Sequence, residues 1–160
     1  MVAHSAINHT GITGAGGVGN VWSMNKSTDQ TLTSNTLTQI TFDTTVIDGG
    51  SSTIDLANDR FTVPATGFYL VFGNWLWLTT VPTAGAHISV KVGSTESIAI
   101  CRADAATLGA NGGIRGQGTL SLTAGAFVTM WCHPGSAVTP VARGTAAVHT
   151  ASTFTLVRIT

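Results

Sequence analysis

At 160 residues the chain is long enough to bury one proper core, and the length fits a single domain. Hydrophobic residues make up 43% and charged residues only 9%, against about 25% charged in an ordinary soluble domain. Seven basic and seven acidic side chains cancel, which excludes a nucleic-acid surface built on a basic patch and favours association over dispersal.

Residues 1–20 stand apart from the rest. His4-Ser-Ala-Ile-Asn-His-Thr-Gly-Ile-Thr-Gly-Ala-Gly-Gly-Val-Gly19 is rich in Gly and small polar residues and has neither the period of a strand nor that of a helix. It reads as an extended arm, with His4, Ile7, His9 and Ile12 as the side chains able to grip a surface. Met1-Val-Ala-His-Ser lacks the basic start and apolar centre of a secretion signal. No apolar run approaches the roughly 20 residues of a membrane-spanning helix. The expectation is a chain without membrane or nucleic-acid partners.

From residue 21 to 160 the sequence reads as one β domain. Val21–Asn25 is the first strand, and Leu37–Asp43 alternates around a kink. After the loop Asp48–Ser52 comes a short strand over Ile54–Leu56. The stretch Arg60-Phe-Thr-Val-Pro-Ala-Thr-Gly-Phe-Tyr-Leu-Val-Phe-Gly-Asn-Trp-Leu-Trp-Leu78 organises the domain. Phe61–Val63 predicts a strand, and Pro64–Gly67 a tight turn closed by a positive φ at Gly67. Phe68–Leu78 predicts a long strand whose two alternating sets are both apolar. A strand with one wet face should alternate apolar with polar, so here both faces demand cover. One face suits a sandwich core. The other set, with Tyr69, Val71, Trp75 and Trp77, is expected to pack on a second protein surface.

Further strands are expected over His87–Val92, Glu96–Arg102, Ile114–Leu122, Phe127–Cys132 and Thr153–Thr160, with Gly-containing turns between them. Ala103–Ala110 is the sole helix candidate and too short to stand alone. Strands at this spacing predict an all-β, antiparallel β-sandwich or jelly roll with a short extended N-terminal arm.

Few motifs offer chemistry. Gly14-x-Gly16-x-x-Gly19 matches a dinucleotide fingerprint by letter, but no strand precedes it and no helix follows. The five histidines lack ligand spacing, and Asp55, Asn58 and Asp59 lack the ligand density of a calcium loop, so no metal or cofactor is expected. No nucleophile elbow is present and Glu96 is the sole glutamate, which argues against an enzyme. Trp22, Trp75, Trp77 and Trp131 admit two readings, a sugar-stacking platform or packing. Asn8-His-Thr10 and Asn25-Lys-Ser27 fit the glycosylation triplet by chance in a Thr-rich chain. Cys101 and Cys132 are expected to be free and buried unless their strands are neighbours.

The residues Ile40-Thr-Phe-Asp, Arg60-Phe-Thr-Val-Pro-Ala-Thr-Gly-Phe-Tyr-Leu-Val-Phe, Gly116-Gln-Gly-Thr-Leu-Ser-Leu-Thr-Ala-Gly-Ala-Phe-Val and Thr153-Phe-Thr-Leu-Val resemble the tumour-necrosis-factor-like jelly roll, which includes complement-type globular heads. The resemblance spans about residues 37–160. It departs at Ala126, where an acidic residue is usual, and no collagen-like stalk is present. It implies a compact homotrimer with aromatic residues along the threefold axis. The arm is similar to Gly-rich segments of tailed-bacteriophage structural proteins. Together the two resemblances imply a virion protein made in the host cytoplasm. The first expectation is a trimeric capsid decoration protein whose arm lies on the major capsid protein. The alternative is a trimeric knob of a tail or head fibre that recognises a host-surface glycan or protein receptor through the loops Asp48–Ser52, Pro82–Gly85 and Gly109–Gly113.

Overall fold

The computed structural model describes residues 20–50, 53–78, 85–102, 112–135, 141–144 and 151–159. The arm residues His4, Ile7, His9 and Ile12 lie outside these, as do Asn8, the Gly14-x-Gly16-x-x-Gly19 motif and the helix candidate 103–110. Every regular element among the described residues is a strand. In chain order these are β1 (Val21–Asn25), β2 (Gln30–Thr31), β3 (Thr38–Gln39), β4 (Thr44–Ile47), β5 (Ile54–Asp55) and β6 (Arg60–Thr62). They continue as β7 (Gly67–Leu78), β8 (His87–Val92), β9 (Thr95–Arg102), β10 (Gly113–Leu122), β11 (Phe127–His133), β12 (Val141–Ala142) and β13 (Thr153–Arg158).

The pairing is antiparallel and nested. β8 pairs β9, β7 pairs β10, β6 pairs β11 and β1 pairs β13, each successive pair enclosing the last in sequence. Because these pairs fall alternately in two sheets, the chain is a long hairpin rolled over itself, the jelly roll. One sheet carries β4, β1, β13, β7 and β10, with β2 and β12 at one end. The other carries β5, β6, β11, β8 and β9, with β3 against β11. Strand order was not legible in the sequence, since hairpin and crossover connections share the same turn residues.

The core lies between the sheets. Trp22 and Met24 of β1, Phe154 and Leu156 of β13 and the odd residues of β7 meet Phe61, Ile88, Val90, Val128 and Met130 of the opposite sheet. Phe154 anchors the centre, its ring 4.9 Å from Phe61 and 6.1 Å from Phe42. The kink expected in Leu37–Asp43 is a crossing between sheets. Ile40 N bonds Met130 O on one side, and Asp43 N bonds Asn25 O on the other. Only Thr38 and Gln39 remain strand, while Ile40 and Phe42 drop into the core.

The turn before β7 is closed differently from expectation. Gly67 takes no positive φ and opens the strand instead. The buried Tyr69 hydroxyl donates to Ala65 O at 2.6 Å, which holds the bend without a left-handed residue. Further along β7, Gly73 lets the sheets approach. A Cβ there would meet Ile88 Cγ2 at 3.0 Å, Ile100 Cδ1 at 3.1 Å and Met130 Sδ at 3.3 Å. Gly73→Ala is therefore expected to cost about 1–3 kcal/mol by overpacking. Thermal denaturation checks this, and an unchanged midpoint would mean the core yields freely.

Two junctions are polar. Lys26 is buried, and its Nζ donates to Thr41 O at 3.0 Å and Thr41 Oγ1 at 2.6 Å. Burial lowers its pKa, while the charges of Asp43, Asp59 and Asp29 oppose that shift. Asp43 takes the Ser27 and Thr28 amides and the Thr28 and Thr44 hydroxyls. Its partial burial pushes the carboxyl up, but these donors outweigh it and hold the pKa at about 2. The folded value lies below the ordinary 3.8, so Asp43 contributes stability that is full above that value and lost as pH falls toward 2. Asp43→Asn is expected to destabilise at pH 7 and to flatten the loss between pH 4 and 2 in acid titrations followed by circular dichroism. Asp59 shifts the other way, raised chiefly by burial and in part by the Asp43 charge, so the substitution also relieves Asp59.

The thiol of Cys132 is free and buried, and burial raises its pKa. Ile88 stands in register between Cys132 and Cys101, so the two cysteines sit two strands apart. Two spacings of about 4.8 Å exceed the roughly 7 Å that a disulfide spans.

Candidate functional site

The long strand β7 does demand two covers, but the faces are the reverse of the expected ones. Tyr69, Val71, Trp75 and Trp77 are each 0% exposed within one protomer. Trp75 and Trp77 pack edge to face at 5.7 Å, inside the sandwich. These four side chains are core and cannot form a contact surface between protomers. Their register explains why. Trp75 stands beside Ile114 and Tyr69 beside Leu120, and both β10 partners point inward too.

The outward set is Phe68, Leu70, Phe72, Asn74 and Leu76. Phe68 is 54% exposed and the others are half-buried. Neighbouring strands extend the apolar row. Val157 of β13 stands beside Leu70 and beside Val21 of β1. Ile159, 50% exposed, follows in the same phase, and its amide bonds Phe68 O at 2.8 Å. Ile47, 46% exposed, lies beside Ser23 on this face, and the Ser23 and Thr155 hydroxyls bond at 2.8 Å. On the β10 side the row is bordered by exposed polar residues: Ser121 beside Phe68, Thr119 beside Leu70 and Gln117 beside Phe72. An apolar centre with a polar rim is the anatomy of a protein interface.

The outer face of the opposite sheet makes a useful contrast. Its aromatic residues already have cover. Arg60 Cζ lies 3.6 Å from the Phe127 ring centroid, and Lys91 Nζ lies 3.7 Å from that of Trp131. His87 and His133 stack at 5.0 Å with a 7° interplanar angle. Phe68 and Phe72 have no such ring or cation partner among the described residues. Among the described residues, the face whose aromatic residues lack such partners is therefore that of β7, although Phe127 also stays 38% exposed under its arginine.

The other sequence candidates resolve locally. Trp22, Trp75 and Trp77 are buried, and Lys91 covers Trp131, so the four tryptophans form no open platform for a sugar. Asp55 spends its carboxylate on Asn58 and on Arg60 Nε at 2.8 Å. Asp59 Oδ1 accepts the Phe42 amide at 2.6 Å, so this acidic loop is a braced turn. Asn25 is buried and closed to glycosylation. Of the loops named for recognition, residues 51–52, 82–84 and 109–111 lie outside the described ones. The missed residues are Phe68, Leu70 and Phe72. A signal for them was available in Asn74, the sole side chain of the strand that cannot enter an apolar core unpaired.

Nested pairing over two sheets, with this strand order, defines a tumour-necrosis-factor-like jelly roll. Solved structures with that fold match nearly the whole chain. Murine APRIL superposes with a TM-score of 0.59 at 16% identity, over 88% of this chain and 98% of its own. The globular domain of the zebrafish complement 1qA protein gives 0.56 at 13% identity, over 88% and 98%. The vertex protein P5 of PRD1 gives 0.59 at 17% identity, over 91% and 100%. At such identities the likeness is one of fold. No family model matches the sequence, and a comparison with curated proteins finds no relative.

Proposed function

We propose that this chain is a non-enzymatic structural protein of a virion, a homotrimeric knob that decorates the capsid. The observation that carries the reading is the apolar row Phe68, Leu70, Phe72 and Leu76 on the outer face of β7, exposed at Phe68 and half-buried beyond it. In the proposed trimer each row packs against the free edge of the next copy, near β10, which pairs only with β7 among the described residues. Such a contact joins two different surfaces and closes a ring under threefold rotation. Sparse charge fits a protein built to associate. A vertex protein shares the fold over its whole length, which supports the virion setting. Residues 1–19, with His4, Ile7, His9 and Ile12, are the proposed anchor on the major capsid protein.

Light scattering tests the assembly, with an expected mass of three 16.4 kDa protomers. Immunogold labelling of virions tests the location, with label expected over the heads. Removing residues 1–19 is expected to abolish particle binding while the trimer persists. A monomeric wild type would overturn the trimer, and unimpaired binding of the truncated chain would overturn the anchor.

A further inference from the structure

Asp48 is the aspartate that a glycine follows, whereas Asp29, Asp43, Asp55, Asp59 and Asp104 all precede residues with side chains. It lies just past β4, at the rim of its sheet, with Asp48 and Gly50 exposed. Gly50 N donates to Asp48 Oδ1 at 2.9 Å, an Asx turn. That bond closes a small ring of atoms, and the ring contains both the carboxyl carbon Cγ of Asp48 and the amide nitrogen of Gly49. The Gly49 amide has no hydrogen bond of its own among the described residues. Without a Cβ, Gly49 also leaves that nitrogen open to approach. The other described aspartates are placed differently. Asp43 gathers the Ser27 and Thr28 donors, Asp55 holds Asn58 and Arg60, Asp59 takes the Phe42 amide and Asp29 takes the Gly144 amide.

We infer that Asp48 is a spontaneous modification site, which converts to isoaspartate through a cyclic imide. The Gly49 nitrogen attacks Asp48 Cγ and a Cγ–N bond forms. The carboxyl hydroxyl leaves with the amide proton as water. Water then opens the five-membered ring. Opening at Cγ restores aspartate, whereas opening at the main-chain carbonyl leaves the chain running through Cβ and Cγ. The sum is an isomerisation, with no oxidant and no change in mass.

The new linkage lengthens the main chain by a methylene, at a turn that reaches into the core. Gly50 O accepts Trp22 Nε1 at 2.9 Å, and Trp22 is 1% exposed. Conversion therefore shifts the acceptor of a buried indole and loosens the end of the β1–β4 pair.

The test ages the full chain at neutral pH and body temperature, beside a synthetic peptide of residues 44–52 that sets the clock. Peptide mapping with isoaspartyl methyltransferase as the probe is expected to find a second, equal-mass form at Asp48 that accepts a methyl group. Mapping also separates this from Asn111-Gly112, where deamidation changes the mass. Gly49 takes no positive φ, so Gly49→Ala fits the backbone, and it is expected to slow the conversion severalfold. Asp48→Glu is expected to abolish it, because a larger ring would have to close. The Trp22 indole proton signal in NMR is expected to split as the second form grows. A chain that stays unconverted while half of the peptide has converted overturns the site. So does a Gly49→Ala chain that ages like the wild type. A Trp22 signal that stays single in converted chain overturns the link to the core.

Discussion

A Leu70→Glu chain is expected to run as a folded monomer where the wild type runs as a trimer. Leu70 points outward from the middle of β7, between Thr119 and Val157, and is half-buried in the isolated protomer. In a monomer the glutamate extends into water at little cost. In the trimer it would be an unpaired charge in an apolar contact, a cost of about 3–5 kcal/mol at each interface. That corresponds to more than a hundredfold per contact. Lys91→Glu, on the face where cations already cap the rings, is the matched control and is expected to leave the mass unchanged. Light scattering reads both. A Leu70→Glu trimer, or a Lys91→Glu monomer, would move the interface off the β7 face.

That contrast also marks where sequence reasoning stopped. Strand positions were legible because each strand carries its own period: Ile88 and Val90, or Phe154 and Leu156, point inward as their alternation predicts. Period two sorts β7 into two sets but does not say which set is inside. The tryptophans drew the interface reading because aromatic residues suit interfaces as well as cores. The deciding facts are long-range. Ile114 and Leu120 of β10 are inward by their own pattern, but they fix the phase of β7 only once the register Trp75 to Ile114 is known. The cysteines show the same limit. Their spacing says nothing about bridging, whereas the order β11, β8, β9 rules it out.

Trp75→Ala separates the two readings of β7 most sharply. If Trp75 lay between protomers, its loss would weaken assembly and spare the fold. Buried as it is within one protomer, against Trp77 and beside Ile114, its truncation is expected to cost about 3–5 kcal/mol of folding stability. That is a large share of the about 5–15 kcal/mol that holds a typical domain together. The measurement belongs in the Leu70→Glu background, where denaturant unfolding reports the protomer without the assembly. Trp75→Phe sharpens the result further. The indole Nε1 is buried without a hydrogen-bond partner among the described residues, so it already bears a desolvation penalty that phenylalanine removes. Trp75→Phe keeps a ring in the site and sheds that penalty, and is expected to cost less than about 2 kcal/mol. A Trp75→Phe loss well above about 2 kcal/mol would mean that the indole nitrogen is satisfied in solution. No loss for either would return Trp75 to the surface.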